Sequence, residues 1–125
     1  MSNEKILVVD DDKNICELLR LYLVKEGYNV TMVHDGGAAL AEFDKLHPDL
    51  VLLDVMMPVM DGLDAARCIR SLDRSDAKSV PIFAITANAF SDDKERSYKA
   101  GMNEHISKPI IKKDLLRIMK KYIPK

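Results

Sequence analysis

Residues 50–54 read LVLLD, four consecutive apolar residues followed by an aspartate. Four apolar residues in a row leave no polar face, which is typical of a strand buried on both sides in a parallel sheet. Similar runs occur at 5–10, KILVVD, and at 81–86, PIFAIT. The sequence therefore predicts an α/β fold whose central strands are covered by helices on both faces.

Helical patterns alternate with the strands along the chain. The first helix has apolar residues at i, i+3, i+4, i+7 and i+8, from Ile15 to Leu23. Asn14 and Glu17 predict a capping box at its start, and Gly27 predicts its C-terminal cap. Two further strands are predicted at 29–33 and 104–107, and four further helices at about 37–46, 62–72, 91–100 and 111–122.

Composition narrows the class of protein. The chain has 125 residues, 19 Lys plus Arg and 20 Asp plus Glu, with no long block of one sign. We expect one domain over residues 1–125 and no direct binding of nucleic acid.

No apolar stretch reaches the roughly 18 to 20 residues that span a bilayer, so we expect a cytoplasmic protein without membrane contact. Cys16 and Cys68 lack the spacing of a zinc site.

Polar residues cluster where the predicted strands end. Asp10 and Asp11 end or follow the first strand, Asp54 ends the third, Thr86 ends the fourth and Lys108 follows the fifth. Because parallel strands end at one edge of the sheet, where ligands of α/β proteins bind, these five side chains are expected to converge. The sequence therefore predicts a polar site at that edge.

The charges in this predicted site favour a particular chemistry. Two carboxylates about 4 Å apart repel by roughly 4 kcal/mol at an effective dielectric of 20, so three of them require cations nearby. Lys108 supplies one positive charge, and an all-oxygen cluster suits Mg²⁺. A divalent cation, an ammonium and a hydroxyl around a carboxylate are the groups that phosphoryl transfer needs, with Asp54 as the nucleophile.

Four motifs carry a family resemblance that extends over essentially the whole chain: ILVVDDD, LVLLDVMMPVMDG, AITANAF and SKPI. In this order they resemble the receiver domain of response regulators in two-component systems. The resemblance implies a flavodoxin-like, doubly wound (βα)5 fold, with strand order 2-1-3-4-5 as the family has it. We also expect a single receiver domain without an output domain, because the chain stops just after its last predicted helix. Such a domain takes a phosphoryl group from phosphohistidine and is not a turnover enzyme on a separate substrate.

The resemblance also assigns the metal site and the acceptor. Asp54 resembles the phosphoacceptor. Asp10 and Asp11 resemble the acidic pair that holds Mg²⁺, or Mn²⁺ as a substitute, together with Asp54 and the backbone carbonyl of Met56.

Other positions resemble the switching and rate-setting residues of the family. Thr86 resembles the hydroxyl that bonds the phosphoryl group, and Lys108 the ammonium that bonds another of its oxygens. His105 stands where the family usually has a switching Tyr or Phe, and we hypothesise that its imidazole acts as the rotating ring and adds pH sensitivity. Met56 and Asn88 occupy positions that tune hydrolysis of the aspartyl phosphate. Pro109 resembles a proline often preceded by a cis bond.

The implied partner is a histidine kinase or a histidine phosphotransfer protein, docked beside the first helix and the loops around Asp54. Phosphorylation is expected to change the surface formed by the helix at 91–100, the fifth strand and the last helix, through which a homodimer is also implied. Residues up to about 62 resemble receivers of DNA-binding regulators, and the rest resembles receivers of hybrid histidine kinases.

Two alternatives stay open at this point. Asp10 and Asp12 have the spacing of the nucleophile and the acid/base in phosphatases of the haloacid dehalogenase type, although that reading leaves Asp54 without a role. A protein-binding module with a vestigial site is the other alternative, and the complete set of five site residues speaks against it.

Overall fold

A computed structural model of the chain describes residues 4–57, 60–86 and 91–123, and for residues 91–94 it describes the backbone alone. Five parallel strands form one sheet in the order β2-β1-β3-β4-β5. The strands are β1 (Lys5–Val9), β2 (Asn29–Val33), β3 (Leu50–Asp54), β4 (Ile82–Thr86) and β5 (Glu104–Ser107). The doubly wound fold and the strand order expected from the sequence are confirmed.

Six helices surround this sheet within the described residues. They are α1 (Lys13–Lys25), α2 (Gly36–Leu46), α3 (Gly62–Arg70), α4 (Ser75–Ser79), α5 (Ser91–Lys99) and α6 (Lys112–Met119). One core lies between the sheet and α2, α3 and α4, and the other lies between the sheet and α1 and α6. The sheet therefore has an apolar layer on each face.

The burial of each strand follows its apolar pattern. Every residue of β3 and β4 is buried, and in β1 only Lys5 is not. The outer strands β2 and β5 have one buried residue each and otherwise keep exposed or partly exposed residues, because they lie at the edges of the sheet. The continuous apolar runs thus place β1, β3 and β4 in the centre, where their carboxyl ends lie side by side.

The start of α1 differs from the sequence prediction. Asp12 is the N-cap, and its Oδ1 accepts from the amides of Asn14 at 2.9 Å and Ile15 at 3.4 Å. The capping box of Asn14 and Glu17 is therefore wrong, because the helix already begins at Lys13 and Asn14 lies inside it. Gly27 follows the helix with φ of 90°, as predicted for a glycine at this position.

The short helix α4 was not predicted. Its five residues offer one buried apolar side chain, Ala77, which is too little for a helical period to show in the sequence. Contacts with the last residue of α3 and with the turn after it hold it in place. Arg70 Nη1 donates to the Ala77 carbonyl at 3.1 Å, and Lys78 Nζ donates to the carbonyls of Arg70 and Leu72, both at 3.2 Å.

Candidate functional site

The strand ends bring the predicted site residues to one edge of the sheet. Asp10 directly follows β1, Asp54 and Thr86 are the last residues of β3 and β4, and Lys108 directly follows β5. Asp54 pairs with Ile85 and Thr86 with Ser107 in the parallel registers. The amide of Lys108 donates to the carbonyl of Thr86 at 2.7 Å, which holds the start of the loop after β5 against the end of β4.

Three carboxylates form a cluster at this edge. Carboxylate oxygens of Asp10, Asp11 and Asp54 all lie within 4.8 Å of one another. Asp10 is 0% exposed and Asp54 is 1% exposed, whereas Asp11 is exposed to solvent. The cluster is therefore closed on the protein side and open through Asp11, so a ligand can reach it from solvent.

Lys108 faces the two buried carboxylates. Its Nζ lies 3.6 Å from Asp10 Oδ2 and 3.6 Å from Asp54 Oδ1. One ammonium therefore opposes two buried acids, and the exposed Asp11 adds a third. The three carboxylates therefore carry more negative charge than Lys108 offsets, and a divalent cation would offset the remainder.

The environment of Asp54 disfavours its charged form. Desolvation by burial, followed by repulsion from Asp10, raises the pKa of Asp54 from 3.8 to about 7, against the opposing effect of Lys108. A carboxylate nucleophile must be ionised to attack, so a cation at the cluster would favour the reactive form near neutral pH.

An oxygen of Asp10 supports the fit of a metal. Asp10 Oδ1 accepts from the amide of Asp12 at 2.9 Å, but the buried Oδ2 has no hydrogen-bond partner among the described residues. A buried, unsatisfied carboxylate oxygen beside two further carboxylates is the donor set that a hard divalent cation takes. The residues present therefore fit Mg²⁺.

Backbone around β3 fixes the orientation of Asp54. The amide of Met56 donates to Asp54 Oδ1 at 3.2 Å, while the Met56 side chain is 72% exposed. A Cβ on Gly62 would lie 2.2 Å from the Asp54 carbonyl oxygen, so the start of α3 approaches the end of β3 more closely than any side chain permits. The metal-ligand role predicted for the Met56 carbonyl stays a prediction.

The remaining predicted positions lie around this cluster. Thr86 is buried, and His105 lies in the middle of β5 opposite Ala84, partly exposed. The Lys108–Pro109 bond is cis, as the resemblance suggested. Asn88 lies outside the described residues, and its predicted rate-tuning role stays a prediction, as do the roles of Thr86 and His105.

Asp12 has a structural task. Its carboxylate caps α1, as described above, and it is exposed. In a phosphatase of the haloacid dehalogenase type this carboxylate would serve as the acid/base beside the nucleophile Asp10. The capping hydrogen bonds explain Asp12 without such a role, and the buried Asp54 would remain unexplained.

Two site residues escaped the sequence analysis. His34 Nδ1 lies 3.1 Å from the main-chain carbonyl oxygen of Asp10, and Cys16 Sγ lies 3.3 Å from the same oxygen. In the sequence Cys16 lacks the spacing of a metal ligand, and His34 follows β2 in a stretch without a motif. Nothing in the sequence indicates that both side chains meet at one carbonyl.

The chain is similar in sequence to known proteins of one family. The model of a family described as the response regulator receiver domain matches residues 6–120. The sensory transduction protein RegX3 of Mycobacterium tuberculosis is 37% identical over 111 residues, which are 89% of this chain and 47% of RegX3. The hybrid signal transduction histidine kinase I of Dictyostelium discoideum is 32% identical over 130 residues, covering 100% of this chain and 8% of that protein.

A solved structure is similar throughout. The receiver domain of the sensor histidine kinase PA1611 from Pseudomonas aeruginosa PAO1, with a magnesium ion coordinated in its active site cleft, is 35% identical. Its TM-score is 0.88, and the match covers 99% of this chain and 100% of that domain. Both kinds of relative expected from the sequence, response regulators and histidine kinases with receivers, are therefore found.

The matched region is a part of these relatives. The chain spans about half the length of RegX3 and a much smaller share of the hybrid kinase. The single receiver domain without an output domain therefore stays a prediction. Among the described residues no helix is both long and apolar enough to cross a membrane.

Proposed function

The chain belongs to the family of response regulator receiver domains, the phosphoacceptor signalling domains of two-component systems, and from that membership we propose that Asp54 accepts the phosphoryl group. The observation that carries this assignment is the placement of Asp54: its Oδ1 lies 3.6 Å from Lys108 Nζ, within the cluster formed with Asp10 and Asp11. The reaction is a transfer from a phosphohistidine of a second protein to this carboxylate.

A carboxylate oxygen of Asp54 forms a bond to phosphorus, and the P–N bond of the donor phosphohistidine breaks. The electron pair of that bond stays on the imidazole nitrogen, which takes up a proton. The product is an aspartyl phosphate, a mixed anhydride that water later hydrolyses. The protein is thus its own substrate, and no separate substrate is turned over.

Each neighbour of Asp54 has a defined task in this proposal. Asp10, Asp11 and Asp54 would hold Mg²⁺, with Mn²⁺ as a substitute, and the Met56 carbonyl would complete the protein ligands. When bound there, the ion would supply positive charge to the phosphoryl oxygens. Lys108 reaches a further phosphoryl oxygen with its ammonium.

Chemical phosphorylation tests the acceptor. Incubation with acetyl phosphate and Mg²⁺ should add one phosphoryl group to the intact mass, and omission of Mg²⁺ or the change Asp54→Asn should prevent this. Asp64→Asn, at an exposed carboxylate of α3, is the matched control and should be modified like the wild type. Labelling that persists in Asp54→Asn would overturn the assignment.

The phosphoryl donor is proposed to be a histidine kinase or a histidine phosphotransfer protein that docks beside α1. An apolar groove of about 590 Å³ lies there, lined by Arg20, Leu21, Tyr22, Val24, Lys25 and Lys112. Leu21 is 54% exposed and Val24 is 48% exposed, on consecutive turns of the helix that begins at the acid cluster. Exposed apolar residues that lie together on a surface are typical of a protein interface.

A docking variant separates binding from chemistry. Leu21→Asp should slow transfer from a phosphorylated histidine protein and leave labelling by acetyl phosphate unchanged. Tyr98→Asp, at a residue of α5 that is 52% exposed, is the matched control and should leave both reactions unchanged. Equal transfer rates in Leu21→Asp and the wild type would exclude this docking surface.

The output is proposed to be a change in the surface of α5, β5 and α6. The new group carries about −1.5 to −2 charges, enough to reorganise neighbouring loops, with Thr86 as the hydroxyl that follows it. A groove of about 390 Å³ beside β5 and α6 is lined by His105, Lys108, Asp114, Arg117 and others. This surface would bind partners or a second copy of the chain, and nucleic acid would not be contacted directly.

His105 is proposed to be the ring that moves in this change. It lies on β5 three residues before Lys108, and Lys108, Asp114 and Arg117 are the charged groups lining the same groove. Because imidazole titrates near neutral pH, the phosphorylation-induced shift in amide resonances of β5 should vary between pH 6 and 8. His105→Tyr should abolish that variation; identical pH behaviour in both proteins would remove the proposal.

A further inference from the structure

The main-chain carbonyl of Asp10 is contacted by two side chains from outside the acid cluster. His34 Nδ1, just after β2, lies 3.1 Å from the Asp10 oxygen, and Cys16 Sγ of α1 lies 3.3 Å from it. The two side chains also lie 3.6 Å apart, measured from Sγ to Nδ1. One carbonyl thus joins β1, α1 and the residue after β2.

The chemistry of these groups fixes the direction of both hydrogen bonds. A carbonyl oxygen only accepts, so His34 Nδ1 carries a hydrogen that points toward it. A protonated Nδ1 has no lone pair for the thiol, so the hydrogen of Cys16 is directed to the same oxygen.

The amide side of Asp10 is held as well. Its N–H donates to the carbonyl of Val33 at 3.2 Å. The pairing of β1 with β2 therefore continues one residue beyond the strands, first through main chain and then through the His34 side chain. Because the peptide group is planar, the fixed carbonyl also fixes the Asp11 nitrogen and the direction in which residue 11 leaves the strand.

From this arrangement we propose that His34 is a positioning residue for the divalent-cation site: its Nδ1–H, supported by the Cys16 thiol, fixes the Asp10–Asp11 peptide so that both carboxylates face Asp54. The inference rests on the proposed function, since it assigns a role toward the ion that the acid cluster would hold. Groups that orient metal ligands affect affinity without touching the ion.

Two variants of nearly equal size test the hydrogen bond. Asparagine places its amide nitrogen where His34 Nδ1 lies, whereas leucine places a methyl group there. We expect His34→Leu to bind Mg²⁺ about tenfold more weakly than the wild type in calorimetric titration of the metal-free protein. His34→Asn should bind within about threefold of the wild type.

A second measurement needs no metal. The amide of Asp12 donates to Asp10 Oδ1 at 2.9 Å, so its hydrogen exchange reports the order of this turn. Exchange should be faster in His34→Leu and unchanged in His34→Asn, while thermal unfolding confirms that both variants are folded. Faster exchange that accompanies weaker binding supports the positioning role.

The outcomes that overturn the inference differ from those that overturn the function. Wild-type Mg²⁺ affinity in His34→Leu would overturn the inference, and so would equal weakening in His34→Asn, because packing rather than the hydrogen bond would then matter. A wild-type protein that binds no Mg²⁺ would instead refute the proposed function, and the wild-type titration alone reveals it.

Discussion

The ammonium of Lys108 lies 3.6 Å from the carboxylate of Asp54, although the two residues come from strands that are not neighbours in the sheet. Lys108 follows β5 and extends past the end of β4 to reach the end of β3. At the same distance of 3.6 Å it faces Asp10. The positive charge of Lys108 therefore offsets part of the negative charge of both buried carboxylates.

Removal of that cation should slow phosphorylation strongly. Lys108→Gln is expected to lower the rate of labelling by acetyl phosphate about 100-fold, the usual cost of losing one donor aimed at developing charge. Lys112→Gln is the matched control, because Lys112 also forms an ion pair at 3.6 Å, with Glu26, away from the acid cluster. Rates reduced equally in both variants would show that the position of the charge does not matter.

Asp54 should make the metal-free protein less stable at higher pH. Its pKa in the folded protein is about 7, against 3.8 ordinarily, so between these values the folded protein binds more protons than the unfolded chain does. Stability therefore falls as the pH rises through this range. Relative to Asp54→Asn, the wild type should lose about 2–3 kcal/mol of unfolding free energy between pH 5 and pH 8.

Urea unfolding in the presence of a chelator measures this difference. Asp64→Asn serves as the control and should follow the wild type at both pH values, because its carboxylate is exposed. A constant difference between the wild type and Asp54→Asn across the range would contradict the raised pKa of Asp54.

Close packing at Gly62 should make this position intolerant of a side chain. Gly62→Ala places a methyl group 2.2 Å from the Asp54 carbonyl oxygen, and the backbone must shift to admit it. We expect a loss of about 3 kcal/mol in unfolding free energy. Gly37 lies in α2, and the methyl group of Gly37→Ala would meet only Asp35 Oδ1, at 3.4 Å. This change should leave the unfolding free energy the same or raise it by up to about 1 kcal/mol. Similar effects of the two changes would contradict the close approach.

Two neighbouring acids after β1 should have different roles, Asp12 in helix stability and Asp11 in Mg²⁺ binding. Asp12→Ala removes the N-cap of α1 and should cost about 1 kcal/mol of stability while Mg²⁺ affinity stays the same. Asp11→Ala should weaken Mg²⁺ binding by about tenfold or more and leave stability nearly unchanged, because Asp11 is exposed. Calorimetry and urea unfolding on both variants measure the two effects. Weaker Mg²⁺ binding in Asp12→Ala would place Asp12 at the site.

The strands could be predicted from the sequence because burial on both faces leaves an uninterrupted apolar signal. The strands β2, β3 and β5 begin and end where the pattern placed them, and β1 and β4 differ by one residue at an end. Helix α4 could not be predicted, because contacts from Arg70 and Lys78 hold it rather than an apolar period. The N-cap of α1 was misplaced because several residues near its start are capable of capping.

The acid cluster could be predicted because parallel strands bring their carboxyl ends together whatever the details of packing. Asp10, Asp54 and Lys108 meet for that reason. The contacts of His34 and Cys16 with the Asp10 carbonyl depend on how α1 and the residue after β2 pack against β1. No local pattern encodes such a three-way contact, so only the structure reveals it.

The central claim concerns which carboxylate carries the phosphoryl group, and loss-of-function variants alone do not decide it, since removing a metal ligand also prevents labelling. Borohydride reduction of the phosphorylated protein converts the modified aspartate to homoserine, which peptide mass spectrometry locates. Homoserine at position 54 is the result predicted here. Homoserine at position 10 would contradict the account and favour the phosphatase-type chemistry of Asp10 and Asp12.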